Sequence, residues 1–385
     1  MKQALLIVLD SVGIGYAPDA ASFGDHEANT VRHIRETVAE FRIPHLDTAG
    51  LRASECLSAG EPLPTDDTSF SFGALTEISA GKDTTAGHWE IAGSPVLEPF
   101  QTYDRFPRPL VSEMESRAGV NFIGNYAQSG TLILEELGER HCRTKNPILY
   151  TSADSVIQIA AHEDIIPLES LYEICHACRR IADRERIGRV IARPFIGEPG
   201  NFSRTPNRRD FSMLPPETVL NRLSDNGIQT TGVGKISEIF AGSGISRSYP
   251  TKNNAEGCRI IDKLLAEPSA SSQLIFANLV DFDTLFGHRR DPSGYAAALR
   301  VFDEWLGTLL PKLDDEILVI LTADHGNDPT WPGNDHTRER VPLLAHTPQK
   351  SRNLGIRESY ADIAASLSVW FDVDHNGLAG KSFIE

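Results

Sequence analysis

The sequence predicts an α/β fold, a mostly parallel sheet flanked by helices, with a second domain inserted into it. Three observations carry this expectation. Three apolar runs each stop at an aspartate: Ala4-Leu-Leu-Ile-Val-Leu-Asp10, Leu274-Ile-Phe-Ala-Asn-Leu-Val-Asp281 and Ile317-Leu-Val-Ile-Leu-Thr-Ala-Asp324. Unbroken aliphatic runs of this length suit strands buried on both faces, hence a parallel sheet covered by helices. Segments of helical spacing lie between them. The middle of the chain has a different texture, and proline and glycine mark its edges at Gly93-Ser-Pro-Val-Leu-Glu-Pro99 and Leu214-Pro-Pro-Glu217.

The elements follow in order. After the strand ending at Asp10, the insert holds an apolar run at Ile157–Ala161, a helix around Leu171–Ala182 and a strand at Arg189–Arg193. Beyond it come a strand at Ile228–Gly234, a helix at Asn254–Leu265 and the second aspartate-ended strand. Tyr295–Leu310 reads as a helix, with Asp291-Pro-Ser-Gly294 as its start signal. The third aspartate-ended strand and a helix at Tyr360–Trp370 complete the core. The core is therefore expected over 1–96 and 213–385, and the insert over 97–212. Ligands of parallel sheets bind outside the carboxyl ends of the strands, so three carboxylates should meet at one edge.

Composition removes several classes. The chain has 385 residues, of which 40% are hydrophobic and 23% charged, which excludes collagen-like, low-complexity and largely disordered chains. No apolar stretch approaches the ~18–20 residues of a membrane span. Met1-Lys-Gln runs straight into an apolar strand without a small-residue cleavage site, so no signal peptide is expected. Lysine and arginine number 37 against 53 acidic residues, a net charge of −16. That balance opposes non-specific binding to nucleic acid or anionic membranes. An anionic small substrate stays open, because bound metal ions reverse the local sign. Cys56, Cys142, Cys175, Cys178 and Cys258 are too sparse for a disulfide framework, and the cytoplasm is the expected compartment. The oligomeric state stays open, and a monomer is compatible with the sequence.

The strongest chemical signal is C-terminal: Asp281-Phe-Asp283-Thr-Leu-Phe-Gly-His288, then Asp324-His-Gly326, then Asp335-His336-Thr337. Mixed aspartate and histidine donors suit Mn²⁺, Zn²⁺ or Mg²⁺. Adjacent Asp324 and His325 at a strand end can point to opposite sides and bind two ions. Two ions about 4 Å apart clamp a phosphoryl group and activate a nucleophile. Aspartate caps and turns are the ordinary alternative. They account for one Asp-His pair but poorly for three clusters together with Asp10. The second signal is Ser79-Ala-Gly-Lys-Asp-Thr84-Thr-Ala-Gly-His-Trp-Glu90. If Thr84 begins a helix, its neighbours' free N–H groups face a phosphate. Coordination to a metal would make its hydroxyl a better nucleophile. Taken alone, Asp83-Thr84-Thr85 reads more readily as an ordinary helix cap.

Taken in order, these pieces resemble the alkaline phosphatase superfamily of two-metal phosphoryl and sulfuryl transfer enzymes, and within it the phosphopentomutase family. The resemblance rests on Asp10-Ser-Val-Gly-Ile-Gly15, Gly81–Glu90, Tyr150-Thr-Ser-Ala-Asp-Ser-Val156, Gly188-Arg-Val-Ile-Ala-Arg-Pro-Phe195, Gly197–Asn207, Gly234-Lys-Ile-Ser237, Asn278–Asp291 and Thr322–Asp328 with Asp335-His-Thr-Arg338. They span nearly the whole chain, and those of the insert are specific to the mutases. The resemblance implies an alkaline-phosphatase-like core with an inserted α/β cap. It implies one manganese ion on Asp283, His288 and His336 and another on Asp10, Asp324 and His325, with Asp281 behind the ligands. Two divalent ions against three aspartates leave net positive charge for a phosphate. It implies Thr84 as the phosphoryl carrier, and sugar-phosphate contacts from Ser152, Asp154, Arg189 and Arg204 of the cap and Lys235 of the core. Outside the resemblance, Arg189 would be a surface residue at a strand start and Asp154 a turn residue.

The implied reaction interconverts ribose or 2-deoxyribose 1-phosphate and 5-phosphate through a phosphothreonine and ribose 1,5-bisphosphate. It joins nucleoside breakdown to pentose phosphate metabolism. Glucose 1,6-bisphosphate or ribose 1,5-bisphosphate is expected to prime the threonine. Ala86 after Thr85 and the Gly93–Leu97 linker depart from the family pattern, without touching an implied ligand. Two further readings stand beside this one. A metal-dependent hydrolase on the same scaffold would not need the cap residues together, and a non-catalytic binding protein would show broken ligand sets. Cys175-His-Ala-Cys178 lacks a second Cys-x-x-Cys and falls in a helical stretch, so core packing is expected for it. Asn201-Phe-Ser203 is a glycosylation sequon that a cytosolic chain would not use, and Gly13, Gly15 and Gly24 lack dinucleotide-binding spacing.

Overall fold

The structure is a computed structural model that describes residues 1–152, 155–267, 271–313 and 316–384. Asp154 lies outside the described residues. The described strands are, in chain order, β1 (Gln3–Leu9), β2 (Ser71–Leu75), β3 (Ile123–Ala127), β4 (Ile148–Thr151), β5 (Val156–His162), β6 (Arg189–Glu198), β7 (Asn201–Arg204), β8 (Arg209–Ser212), β9 (Gln229–Val233), β10 (Arg247–Tyr249), β11 (Gln273–Leu279), β12 (Ile317–Thr322), β13 (Val341–His346) and β14 (Asn353–Arg357). The chain forms two compact units, 1–98 with 215–385, and 99–214.

The first unit is built on an eight-stranded sheet of order β10-β9-β11-β1-β12-β13-β2-β14. The five strands from β10 to β12 run parallel, as their aliphatic runs predict. Every residue of β11 and β12 is buried, and in β1 all but Gln3, so both faces of the sheet centre are covered. Helices Asn254–Ala266, Pro292–Leu309 and Asp362–Phe371 bury Ile261, Leu299, Phe302 and Leu367. β13 is antiparallel to both neighbours, and β14 pairs with β2 in parallel.

Register sets where the chemistry falls. Leu9 lies beside Leu279 and Val8 beside Thr322, so β1, β11 and β12 end together. The chain leaving these ends carries Asp10, Asp283 and Asp324. Antiparallel β13 begins where β12 ends, which brings the loop holding His336 to the same edge. Leu75 pairs with Val341, so β2 also ends there and leads towards Thr84. Val233 pairs with Ala277, so Lys235 follows the end of β9 on that edge, exposed.

The second unit has a six-stranded mixed sheet, β3-β4-β5-β6-β7 with β8 also on β6. Helix Leu168–Arg184 packs Leu171, Cys175, Cys178 and Ile181 against Leu149, Ile157 and Val190. Burial pushes the Cys178 thiol up to about 12, and the Cys175 thiol well above its ordinary value. Both behave as small apolar groups rather than as a redox or zinc pair. No described helix is long and apolar enough to cross a membrane.

Candidate active site

Each acidic residue at the sheet edge is held by a neighbour that leaves one oxygen facing inwards. Asn278 Nδ2 donates to Asp10 Oδ2 at 2.9 Å, and the backbone N–H of Ser11 donates to Asp324 Oδ1 at 3.2 Å. Ser11 is buried with φ of 74°, a left-handed conformation costing about 1–3 kcal/mol in a non-glycine residue. It persists because Tyr295 and Asn327 fix it from both sides, through the Tyr295 hydroxyl and the Asn327 N–H. Asn327 Nδ2 donates to Asp283 Oδ1 at 2.7 Å. Asp283 sits in the π-helical turn 282–287, a distortion that often marks functional positions.

The three imidazoles share one arrangement. Nδ1 of His288 faces the Asn334 carbonyl at 2.7 Å, that of His336 faces Lys82 at 2.9 Å, and that of His325 faces Gly326 at 3.1 Å. With Nδ1–H donated to a carbonyl, Nε2 is the atom presented to the cluster, as in metal-ligating histidine. The Nε2 atoms converge. His288 Nε2 is 3.1 Å from Asp283 Oδ2, His336 Nε2 is 3.5 Å from Asp283 Oδ1, and His325 Nε2 is 3.6 Å from Asp10 Oδ1 and 3.3 Å from Asp324 Oδ2. The rings of His325 and His336 stack at 3.8 Å.

Two overlapping groups could each hold a cation: Asp10 with Asp324 and His325, and Asp283 with His325 and His336. His325 belongs to both. His288 stands beside the second group, 3.2 Å from His336 Nε2. Asp281 is in neither. It pairs with Asn254, accepting from its N–H at 2.8 Å and donating its own N–H to the Asn254 side chain.

The donor set fits divalent cations on a direct observation. Asp10 Oδ1 and Asp324 Oδ2 are buried and accept no hydrogen bond. His88 Nδ1 comes within 3.1 Å of Asp324 Oδ2, but its proton faces the Thr84 carbonyl at 2.9 Å. Burial, with Asp324 and Asp283 nearby, pushes the Asp10 carboxyl well above its ordinary range. Burial works the same way on Asp283, but hydrogen bonds from His288 and His336 overcome it and hold this carboxyl well below its range. Two buried carboxyl oxygens without donors, in a cluster where burial and neighbouring carboxylates disfavour negative charge on Asp10, are what a bound cation would relieve.

Thr84 opens helix Thr84–Ile91 at this cluster, and its Oγ1 lies 3.2 Å from His325 Nε2. Only glycine at 87 permits this approach, because a Cβ there would come 2.1 Å from the Asp324 carbonyl. Glu90, at the far end, accepts from Ile78, Ser79, Ser359 and Tyr360 and fixes the helix in place. One expectation is corrected. The N–H groups of Thr85 and Ala86 do not face outwards for a phosphate, because Asp83 Oδ1 accepts both, at 3.0 and 3.1 Å. Asp83 is an ordinary N-cap, and the hydroxyl of Thr84 is the group left for chemistry.

In the second unit, Ser152 follows β4, and Arg189 begins β6, 3.9 Å from Asp210. Arg204 ends β7 opposite Phe195, six positions along β6 from Arg189. The pairing therefore separates Arg189 and Arg204 by about 20 Å of strand. Arg193 and Arg208, not singled out from sequence, gather with Arg204 around the buried Tyr150. Their signal was present as the paired spacing of 189 with 193 and 204 with 208, but the motif match named only one of each pair.

A model of the metalloenzyme superfamily matches residues 2–375. The phosphopentomutase of Caldanaerobacter subterraneus subsp. tengcongensis is 51% identical over 378 residues, covering 97% of this chain and 95% of that protein. The phosphopentomutase of Syntrophotalea carbinolica is 46% identical over 389 residues, covering 100% and 98%. Among solved structures, the PH0037 protein of Pyrococcus horikoshii shares the fold at a TM-score of 0.50 and 14% identity, over 98% of this chain and 99% of that one. With a matching model and close relatives over its full length, the chain belongs to the phosphopentomutase family of the metalloenzyme superfamily.

Proposed function

We propose that this protein interconverts ribose or 2-deoxyribose 1-phosphate and 5-phosphate in the cytoplasm, linking nucleoside breakdown to pentose phosphate metabolism. The observation that carries the reading is the Thr84 hydroxyl 3.2 Å from the imidazole shared by both cation-holding groups. Asp10, Asp324 and His325 would hold one Mn²⁺, and Asp283, His288 and His336 the other. Bound there, the ions supply positive charge to the threonine oxygen and to the transferring phosphoryl group.

The chain's own residues do the rest. Starting from phosphorylated Thr84 and ribose 5-phosphate, the P–Oγ bond breaks as a bond to the sugar O1 forms, giving ribose 1,5-bisphosphate. The P–O5 bond then breaks as Thr84 Oγ takes that phosphoryl group, and ribose 1-phosphate leaves. Glucose 1,6-bisphosphate or ribose 1,5-bisphosphate primes the threonine. The helix seat at Gly87 and the anchor at Glu90 hold Oγ in position, which is the main contribution a protein makes to phosphoryl transfer. In this reading the second unit acts as a cap. Arg204 takes the phosphate that is not reacting, Arg189, set apart from it along β6, adds positive charge to the cap, Ser152 and Asp154 take the sugar hydroxyls, and Lys235 adds charge from the core. Excluding water from the phosphothreonine separates a mutase from a hydrolase.

³¹P NMR tests this with Mn²⁺, ribose 1-phosphate and a catalytic amount of glucose 1,6-bisphosphate. Conversion to ribose 5-phosphate with little inorganic phosphate is expected. Release of inorganic phosphate instead would replace the mutase with a metal-dependent phosphatase.

A further inference from the structure

We propose that Arg290 is a positioning residue for the ion held by Asp283, His288 and His336. Its guanidinium joins every segment that carries those ligands. Nη1 donates to the Gly287 carbonyl at 2.9 Å, which closes the π-helical turn of Asp283 and precedes His288. Nε donates to the Gly333 carbonyl at 2.6 Å and Nη2 to the Asp335 carbonyl at 2.8 Å. These two carbonyls flank Asn334, whose own carbonyl orients His288, and they lead directly into His336. Nη1 also donates to Asn327 Oδ1 at 2.5 Å and to the Asp328 carbonyl at 3.1 Å.

The contact with Asn327 sets a direction. An amide whose oxygen is engaged by a guanidinium must turn its NH₂ the other way, and here that NH₂ donates to Asp283 Oδ1. Arg290 thus sets which carboxylate oxygen of Asp283 accepts from Asn327, leaving Oδ2 turned to His288 Nε2. Its backbone has φ of 54°, a left-handed conformation that a non-glycine residue keeps only when its surroundings impose it. The acceptors are spread over Nε, Nη1 and Nη2, which suits a guanidinium and not an ammonium with three donors at one point.

The proposal rests on the two-ion reading, so the test measures ions directly. Mn²⁺ is titrated into wild type, Arg290→Gln, Arg290→Lys and Arg289→Gln, and free Mn²⁺ is read by electron paramagnetic resonance. Arg289 is the exposed neighbour and serves as the control. Wild type and Arg289→Gln are expected to bind two ions alike. Both Arg290 variants should bind one ion as wild type does and the other about 10–100-fold more weakly, the range seen when outer partners of metal ligands are removed. Turnover should recover when Mn²⁺ is raised by that factor, as befits a residue that positions ligands without touching the reacting atoms. Unchanged affinities in Arg290→Lys and Arg290→Gln would overturn the proposal. So would equal weakening of both ions with a lowered melting temperature, which is the mark of a merely structural residue. Fewer than two ions on wild type would instead remove the two-ion reading itself.

Discussion

The two halves of the cluster solve the same electrostatic problem differently. Around Asp283 the imidazoles of His288 and His336 stand in for a cation, and the carboxylate is comfortable without a metal. Around Asp10 and Asp324 the help is uneven: His325 and His88 outweigh burial and hold the Asp324 carboxyl below its ordinary range, burial pushes the Asp10 carboxyl up, and one buried oxygen of each accepts no hydrogen bond. The Asp283 half is also nearer solvent, the His288 side chain being 40% exposed, whereas the Asp10 and Asp324 side chains are almost completely buried. The difference shows that a folded chain can be prepared for an ion in two ways. On one side imidazoles already partner the carboxylate, and on the other a buried oxygen of each aspartate stays without a donor until metal arrives.

The largest test of this picture is Thr84→Ala. It should lower mutase turnover by about 10⁴-fold or more while both ions remain bound, because the proposed function makes the hydroxyl the reacting group and not a needed ligand. ³¹P NMR and metal content read the two effects separately, and loss of both ions would mean that Thr84 holds the halves together. A second test concerns Glu339, buried behind the Asp10 half under Gly13 and Gly326. Burial, then Asp328, pushes its carboxyl up to about 7, although Thr30 and Thr337 donate to it. An acid whose pKa is raised on folding binds its proton more tightly when native, so stability falls as pH rises from about 4.5 through 7. The loss is on the order of 3 kcal/mol if the whole shift is expressed. Urea melts at pH 5.5 and 7.5 should show this slope, and Glu339→Gln should flatten it.

Gly87→Ala comes next. A Cβ 2.1 Å from the Asp324 carbonyl must push the helix away, and a displacement near 1 Å of Thr84 costs about 10²-fold in rate. Metal content should stay at two ions, so a loss of metal would show that the backbone of Asp324 moved instead. The smallest effect carries the sharpest sign. Asp10→Asn removes one of the unsatisfied carboxylates, a burden of about 1–3 kcal/mol. It should melt above wild type in EDTA and below it in Mn²⁺. Equal ranking in both media would erase the contrast between the halves.

Much of this was legible in the sequence. β1, β11 and β12 announce themselves as unbroken aliphatic runs because they are buried on both faces. β2, Ser71-Phe-Gly-Ala-Leu75, and β13, with Pro342, carry no such pattern, and β7 and β8 are largely polar. Their pairing comes from tertiary context, which local periodicity does not encode. At the site, Asp10, Asp283, His288, Asp324, His325 and His336 are visible as a residue-type cluster. That His325 lies between both groups is a matter of register. The carbonyls of Lys82, Gly326 and Asn334 that orient the imidazoles have no sequence signature at all, since every residue has one. Thr85 and Ala86 show the reverse error, where a helix start was visible but its N–H groups were already engaged by Asp83.

The position of β1 has a consequence for the life of the chain before it is an enzyme. It pairs Leu5 with both Ile275 and Val319, so its two neighbours are translated roughly 270 and 310 residues later. At about 5–20 residues per second, the ribosome takes roughly 15–50 s to deliver the first of them. Over that interval Leu5, Leu6, Ile7, Val8 and Leu9 form an apolar strand with both hydrogen-bonding edges open, a template for pairing with another nascent chain. Neither cation-holding group can exist until His325 has been made, so metal cannot help to hold the early chain. Shielding of Leu5–Leu9 during synthesis should therefore raise the yield of folded protein, and slowing translation in the middle of the chain should lower it.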